Sequence, residues 1–348
     1  MAPSPGGQAV PNIYEVARRA GVSASTVSRV LSRPGVVSPE TRRRVLATVQ
    51  ELGYAPNSVA RNLRTRKSDK ILVTVPDISN PFFSLIIQGI EGAAQRAGYT
   101  VLLGNTQHDE QHEERYARML KRKEADGLIF LGHRIPKPAA ELVAEMAPRC
   151  APVVHGCEYS PALGVASVHI DNGAAAADAM DHLYTLGHRC IGVVTGPLIS
   201  PLSRDRLAGT EGRARAAGAE GELIVRHGDF TIESGALLAE GLLARPDPPT
   251  AIFCFNDEMA IGVITVARRH RLRVPEDLSV VGFDDIKFAR HIDPPLTTIS
   301  QPMREIGEGT VRLLLEILRG DEIEPVSVTL PHQLSVRAST GPPRSARS

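Results

Sequence analysis

The sequence predicts an α/β chain in two parts: a small all-α, basic head joined by a hinge to a larger body of parallel sheets in two lobes. Three observations carry this. The first seventy residues show short helical patterns with caps, the rest alternates short apolar runs with longer helical stretches, and the charge divides between the two parts. Residues 1–70 carry twelve Lys or Arg against four acids, a net +8, which leaves 28 basic and 35 acidic residues and a net −7 for residues 71–348. Clustered cations on a mildly acidic body suit a head that binds phosphates, although a solvated basic face has the same composition.

The elements follow in order. Residues 1–12 are rich in Pro, Gly and small side chains and are expected to be a disordered tail. A first helix is predicted from Ile13 to Ala20, with Val16, Ala17 and Ala20 on one face and Gly21 as its stop. Ser23 is an N-cap candidate for a second helix, Ala24 to Leu31, whose Val27 and Val30 share a face while Ser25, Ser28 and Arg29 point elsewhere. Ser38, Pro39 and Glu40 combine a capping hydroxyl, a proline preset for the first turn and an acid near the positive helix end. They start a third helix with Val45, Val49 and Leu52 as its apolar row. Three short helices with a tight Ala20-Gly21-Val22 connection make a helix-turn-helix pattern.

From Ile71 the rhythm changes. Strands are predicted at 71–75, 100–103, 127–131, 153–155, 167–170, 190–194, 250–254, 279–283 and 297–299, with helices fitting between most of them. Such alternation argues for parallel sheets covered on both faces, with ligands at the carboxyl ends of the strands. The body is too long for one compact sheet domain, so two similar lobes with a cleft are expected.

Composition excludes several classes. At 42% hydrophobic and 23% charged the chain is an ordinary globular one. It has neither a membrane-length apolar run nor a secretory start, so a cytoplasmic protein without membrane contact is expected. Cys150, Cys157, Cys190 and Cys254 lack any zinc-type spacing, so neither a disulfide nor a metal is expected. No phosphate loop, nucleophile elbow or HExxH pair occurs. His108-Asp109-Glu110-Gln111-His112 comes nearest but has aspartate after the first histidine. No catalytic residue and no cofactor is therefore assigned. Binding has more support: Asn80, Phe82 and Phe83 follow the first body strand, Asp109 the second, Arg206 a long loop after the sixth, and Asn256 and Asp284 later strands, with Phe230 before a helix. Amides, carboxylates and an arginine interleaved with rings suit a hydroxyl-rich ligand, while each of Asn256 and Asp284 is equally a helix N-cap candidate.

The stretches IYEVARRAGVSASTVSRVLSRPGVVSPETRRRV and LGYAPNSVARNL resemble the head and hinge of the lactose-repressor (LacI/GalR) family of bacterial transcription regulators. NPFF, GHRCIGVVTGP, RLAG, DLSVVGFDDI and DPPLTTISQP resemble that family's sugar-binding body, of periplasmic-binding-protein-like (type I) fold. ILVTVPDISNPFFSLIIQGIE and ASVHIDN look most like its cytidine-responsive members, with the ribose and purine branches next. The resemblance implies a helix-turn-helix domain over 13–56, a hinge over 57–69, a two-lobed ligand-binding and dimerisation domain over 70–338, and a disordered tail over 339–348. It implies that Ala24, Ser25 and Arg29 face base edges in the major groove, with Ser23, Thr26 and Ser28 beside them. Asn57, Ala60, Leu63 and Arg64 would lie in a hinge helix that orders on operator DNA, Leu63 wedging into the minor groove. It places Arg206, Phe230, Asn256 and Asp284 at ligand-contacting positions, and Asn80, Phe82, Phe83 and Asp109 in the ribose-type pattern. Cys157 stands where relatives often have Asp or Asn, Leu131 and Ser200 replace polar or basic pocket residues, and a lactose-like or purine-base ligand is disfavoured. The expectation is a homodimeric repressor switched by a small nucleoside or pentose-like effector; the competing reading is a cytoplasmic solute-binding protein without a DNA role.

Overall fold

The structure, a computed structural model, describes residues 11–32, 34–54, 67–146, 151–160, 163–219, 222–321 and 327–344. It divides into two compact units, residues 1–67 and 68–348. The proposed hinge residues Asn57, Ala60, Leu63 and Arg64 lie outside the described residues.

The head holds α1 (Ile13–Ala20), α2 (Ala24–Ser32) and α3 (Pro39–Leu52), with a 3₁₀ turn at Pro34–Val36. Val16, Ala17, Ala20, Val27, Val30 and Val45 form its miniature core. Asn12 is not tail: its side chain caps α1, accepting from the N–H groups of Tyr14 and Glu15 at 3.0 Å each. Gly21 ends α1 in the left-handed region at φ 62°, where a Cβ would be strained. Ser38 accepts from Thr41 N–H at 3.4 Å and starts α3 as expected.

In the body, one sheet runs β11 (Ser327–Leu330), β5 (Ala166–Ile170), β4 (Val153–Gly156), β3 (Gly127–Phe130), β1 (Lys70–Val75), β2 (Thr100–Asn105), every pairing parallel. The second runs β12 (Gln333–Ser335), β10 (Thr297–Ser300), β9 (Ser279–Asp284), β8 (Ala251–Cys254), β6 (Ile191–Thr195), β7 (Leu223–His227). It is parallel except for antiparallel β12 at one edge. Helices α4 (Phe82–Arg96), α5 (Glu110–Lys121), α6 (Lys137–Met146) and α11 (Met303–Arg319) cover the first sheet; α7 (Asn172–Thr185), α8 (Pro201–Ala216), α9 (Ile232–Leu243) and α10 (Asp257–Arg269) cover the second. The chain passes between lobes after β5, after β10 and between β11 and β12. Helices pack closely where both lack side chains: a Cβ on Gly235 of α9 would stand 2.3 Å from the Met259 carbonyl of α10.

Two boundaries move. Ser68 and Asp69 belong to the body, because the Asp126 carboxylate accepts their backbone N–H groups at 2.7 and 2.9 Å. Residues 339–344 are not a disordered tail: buried Ser339 donates to the Val280 carbonyl at 2.6 Å, and His188 Nε2 and Ser279 Oγ lie 2.9 and 3.0 Å from the Gly341 carbonyl. The polar letters of that segment edge the second sheet with hydrogen bonds rather than facing water.

Candidate functional site

Two surfaces carry the expected chemistry. On the head, Ser23 caps α2, accepting from Thr26 N–H at 3.2 Å, and its hydroxyl lies 2.8 Å from Ser25 Oγ and 2.9 Å from Thr26 Oγ1. Val27 and Val30 turn into the core, leaving Ser25 and Arg29 exposed one helical turn apart, with Ser28 half-buried between them. Arg29 pairs with no carboxylate among the described residues, so its planar donor fork is available. Ala24 is half-buried against the head's own core and offers only part of its methyl outward.

In the body, a cavity of about 120 Å³, partly open to solvent, lies between the lobes. Its walls come from the carboxyl ends of strands in both sheets, where open α/β sheets place ligands. From the first lobe come Asn80, Phe82 and Phe83 after β1, His108 after β2, Leu131 and His133 after β3, and Cys157 and Glu158 after β4. From the second come Leu202 and Arg206 of α8, Asp229 and Phe230 after β7, Asn256 and Glu258 after β8, and Asp284 at the end of β9.

The rings meet edge to face, Phe82 and Phe83 having centroids 5.2 Å apart. Asn80 Oδ1 accepts from Phe82 N–H at 2.9 Å and so fixes the start of α4. Asn256 serves both readings: its Oδ1 caps α10 by accepting from Met259 N–H at 3.0 Å, while Nδ2 donates to the Phe230 carbonyl at 2.8 Å. That bond holds Phe230 at φ 72°, and the ring stands where a Cβ of Gly196 would be, 2.0 Å away. His108 at φ 55°, Cys157 at φ 58° and Asp284 at φ 113° are also in positive-φ conformations that cost free energy, so four cavity residues store strain.

Arg206 is buried in the wall. Its Nε donates to Asn172 Oδ1 at 2.9 Å, one terminal nitrogen donates to the Phe255 carbonyl, and the other lies 3.9 Å from Asp284 Oδ1. Its guanidinium carbon lies 3.5 Å from the Phe283 ring centroid. Asp284 also accepts from Gln301 Nε2 at 2.7 Å. Burial raises the Asp284 carboxyl to about 7 despite Arg206. Glu258 is likewise raised to about 7, by burial first and then by Asp77 across the cleft and by Glu233. Glu158 reaches about 7 through burial.

Seven of the eight expected ligand residues therefore meet in one cavity. Asp109 does not. Its carboxylate caps α5, accepting from His112 N–H at 2.9 Å, and that backbone bond holds it below the usual carboxylate range. Its neighbour His108 lines the cavity instead, because Gln107 and His108, at φ 55° each, turn the chain over before the cap. His108, His133, Glu158, Asp229 and Glu258 line the cavity without having been singled out by sequence. Their common signal is position, each standing one to five residues beyond a strand end.

A family model described as bacterial regulatory proteins, lacI family, matches residues 12–57, and one described as a periplasmic binding protein-like domain matches 180–340. The chain is 43% identical over 328 residues to the HTH-type transcriptional repressor CytR of Escherichia coli K12, covering 94% of this chain and 95% of that one. It belongs to the lacI family of bacterial regulatory proteins. The lacI-family relationship extends to catabolite control protein A of Priestia megaterium, 37% identical over 332 residues, or 94% of this chain and 98% of the other. Among solved structures, the lac repressor dimer bound to operator and the anti-inducer ONPF superposes with a TM-score of 0.85 at 30% identity, covering 95% of this chain and 99% of that one. A LacI-family regulator of Enterococcus faecium with bound ribose gives 0.71 at 29%, covering 78% and 99%. The lacI-family chain is thus a DNA-binding regulator of transcription with a ligand-responsive body. Among the described residues no helix is long and apolar enough to cross a membrane, and no group of three or more His, Cys, Asp or Glu is placed to hold a metal ion.

Proposed function

We propose that this protein is a cytoplasmic, homodimeric repressor that binds a near-palindromic operator and is switched by an uncharged nucleoside or pentose-type effector, without catalytic activity. The observation that carries the reading is the joining, in one chain, of a capped reader helix presenting Ser25 and Arg29 with a two-lobed cavity whose polar groups are fixed before ligand arrives. The solved relatives support the partners: one is a dimer on operator, another holds ribose.

The charge of the cavity narrows the effector. Asp77, Glu158, Asp229, Glu258 and Asp284 line it against a single guanidinium, Arg206, already occupied by Asn172, Phe255 and Asp284. A phosphate group would meet an excess of carboxyl groups with no lysine and no second guanidinium in the lining to pair with it, so nucleosides are favoured over nucleotides and free sugars over sugar phosphates. Phe82, Phe83 and Phe230 supply faces for a base or the apolar side of a sugar ring. Effector occupancy would bias lobe closure and with it the population able to grip DNA. A thermal-shift screen of nucleosides, pentoses and their 5′-phosphates tests this. The reading requires a shift from an unphosphorylated member and none from its phosphate; a shift confined to phosphorylated compounds would refute it.

A further inference from the structure

Glu158 occupies an unusual position between the lobes. It follows β4 of the first lobe and is 5% exposed, yet it lines the effector cavity. Its Oε1 accepts a hydrogen bond from Ser200 Oγ of the second lobe at 2.8 Å. Ser200 is the N-cap residue of α8, but its hydroxyl caps no N–H of its own helix, and the first turn of α8 contains no acid. The carboxyl of Glu158 therefore stands in, from the other lobe, as the anion at the positive end of α8. Next to it Tyr159 donates to Asp205 Oδ2 of the same helix at 2.7 Å, a second bridge between lobes. The remaining oxygen, Oε2, is buried and completes no hydrogen bond among the described residues, although the Leu202 N–H is turned toward the carboxyl. Burying an acceptor without a donor is costly, and nearly all such groups in folded proteins are satisfied.

We propose that Glu158 is a specificity-determining residue of the effector site: Oε1 ties lobe to lobe through Ser200 while Oε2 accepts a hydrogen bond from an N–H or O–H donor on the effector. This rests on the small-molecule reading above and deepens it. Among the described residues Arg206 does not supply that donor: Nε and one terminal nitrogen bond Asn172 and the Phe255 carbonyl, the other terminal nitrogen lies 3.9 Å from Asp284, and none bonds Glu158 Oε2. The same carboxyl is thus satisfied only when the lobes are together and a donor is present, which couples recognition to closure. Two sources carry such a donor in the proposed effectors, an exocyclic amino group of a base and a ring hydroxyl of a pentose.

Full-length wild type, Glu158→Gln and Glu158→Leu test this by melting without ligand and by calorimetric titration with cytidine, uridine, 2′-deoxycytidine and ribose. Gln keeps the bond to Ser200 but replaces the free acceptor by a donor. Without ligand, Glu158→Gln is expected to melt close to wild type because Ser200 keeps its acceptor, whereas Glu158→Leu is expected to melt lower because the bridge to Ser200 and the anion at the start of α8 are both lost. With ligand, Glu158→Gln is expected to weaken the best-bound probe at least tenfold and to reduce the wild-type preference to within about twofold. Preference for cytidine over uridine places the amino group on Glu158; preference for cytidine over 2′-deoxycytidine places a sugar hydroxyl there. Unchanged affinities in Glu158→Gln, in which the bond to Ser200 is kept, would reduce Glu158 to a bridge and overturn the proposal. Should no probe bind wild type, the effector class proposed above is wrong and the proposal for Glu158 falls with it.

Discussion

Arg206 shows how the site is prepared at the scale of single residues. Its guanidinium is taken out of water, stacked on Phe283 and held by an amide, a carbonyl and a carboxylate. It therefore orients Asp284 as much as it meets a ligand. Arg29 is the opposite case, exposed and uncommitted, and a planar fork there can bond guanine O6 and N7 together. Replacing Arg29 by Ala is expected to cost about 1–3 kcal/mol of operator binding and to relax preference at one base position in each half-site, read by gel-shift titration against single-base operator variants. Glu258 gives a pH signature. Its folded value, raised to about 7, exceeds the unfolded value, so between these the folded state holds more protons and stability falls as pH rises, levelling above about 7. Glu258→Gln removes that loss, and the melting difference between variant and wild type is expected to widen from about pH 5 to about pH 8 by roughly 1 kcal/mol, screening of this half-buried group included. A gap that is constant with pH would show that burial in the cleft does not hold the proton on Glu258. Residue identity was only partly legible in the sequence: Phe230 and Asn256 stood out as a ring and an amide near strand ends, but nothing local told His108 from Asp109. Only the positive-φ pair at 107–108 decides which of them faces the cavity and which caps the helix.

At the scale of elements, the strands that apolar runs marked are, apart from the edge strand β2, those mostly buried on both faces, such as β3 and β9. The runs do not mark β7, β11 and β12, which lie at sheet edges and are half exposed, so their apolar content is diluted by Arg226, His227, Thr329 and Gln333. The packing of α9 on α10 transmits to the site, because Met259 begins the helix that Asn256 caps. Gly235→Ala would push a methyl into the Met259 carbonyl and is expected to cost about 1–3 kcal/mol of stability while shrinking the effector-induced thermal shift. An unaltered shift would show that the Asn256 cap is insulated from that contact. The hinge is an element the sequence alone argues for. Eight residues are too few to stay helical unaided, so order there is expected to depend on DNA. Leu63→Ala is expected to weaken the specific complex more than binding to random duplex; equal losses on both would reject the wedge.

For the whole molecule, a basic head joined to a mildly acidic body suits a head that holds phosphates. The two-lobed plan was legible because the alternating run of strands and helices is too long for one compact sheet domain, and the family resemblance implied three crossings between the lobes, whereas the antiparallel edge depends on a short segment whose partner is distant in sequence. The account stands or falls on coupling between cavity and DNA. Its most direct test is an anisotropy titration of the full-length protein against duplexes from upstream of its own gene and against random duplex. The titration is run at two salt concentrations, with and without the nucleoside or pentose that gives the largest thermal shift. The account predicts tighter binding to one upstream duplex, weakening steeply with salt, and at least a tenfold change in that affinity on adding effector. Equal affinity for both duplexes, or an affinity that no effector changes, would contradict it.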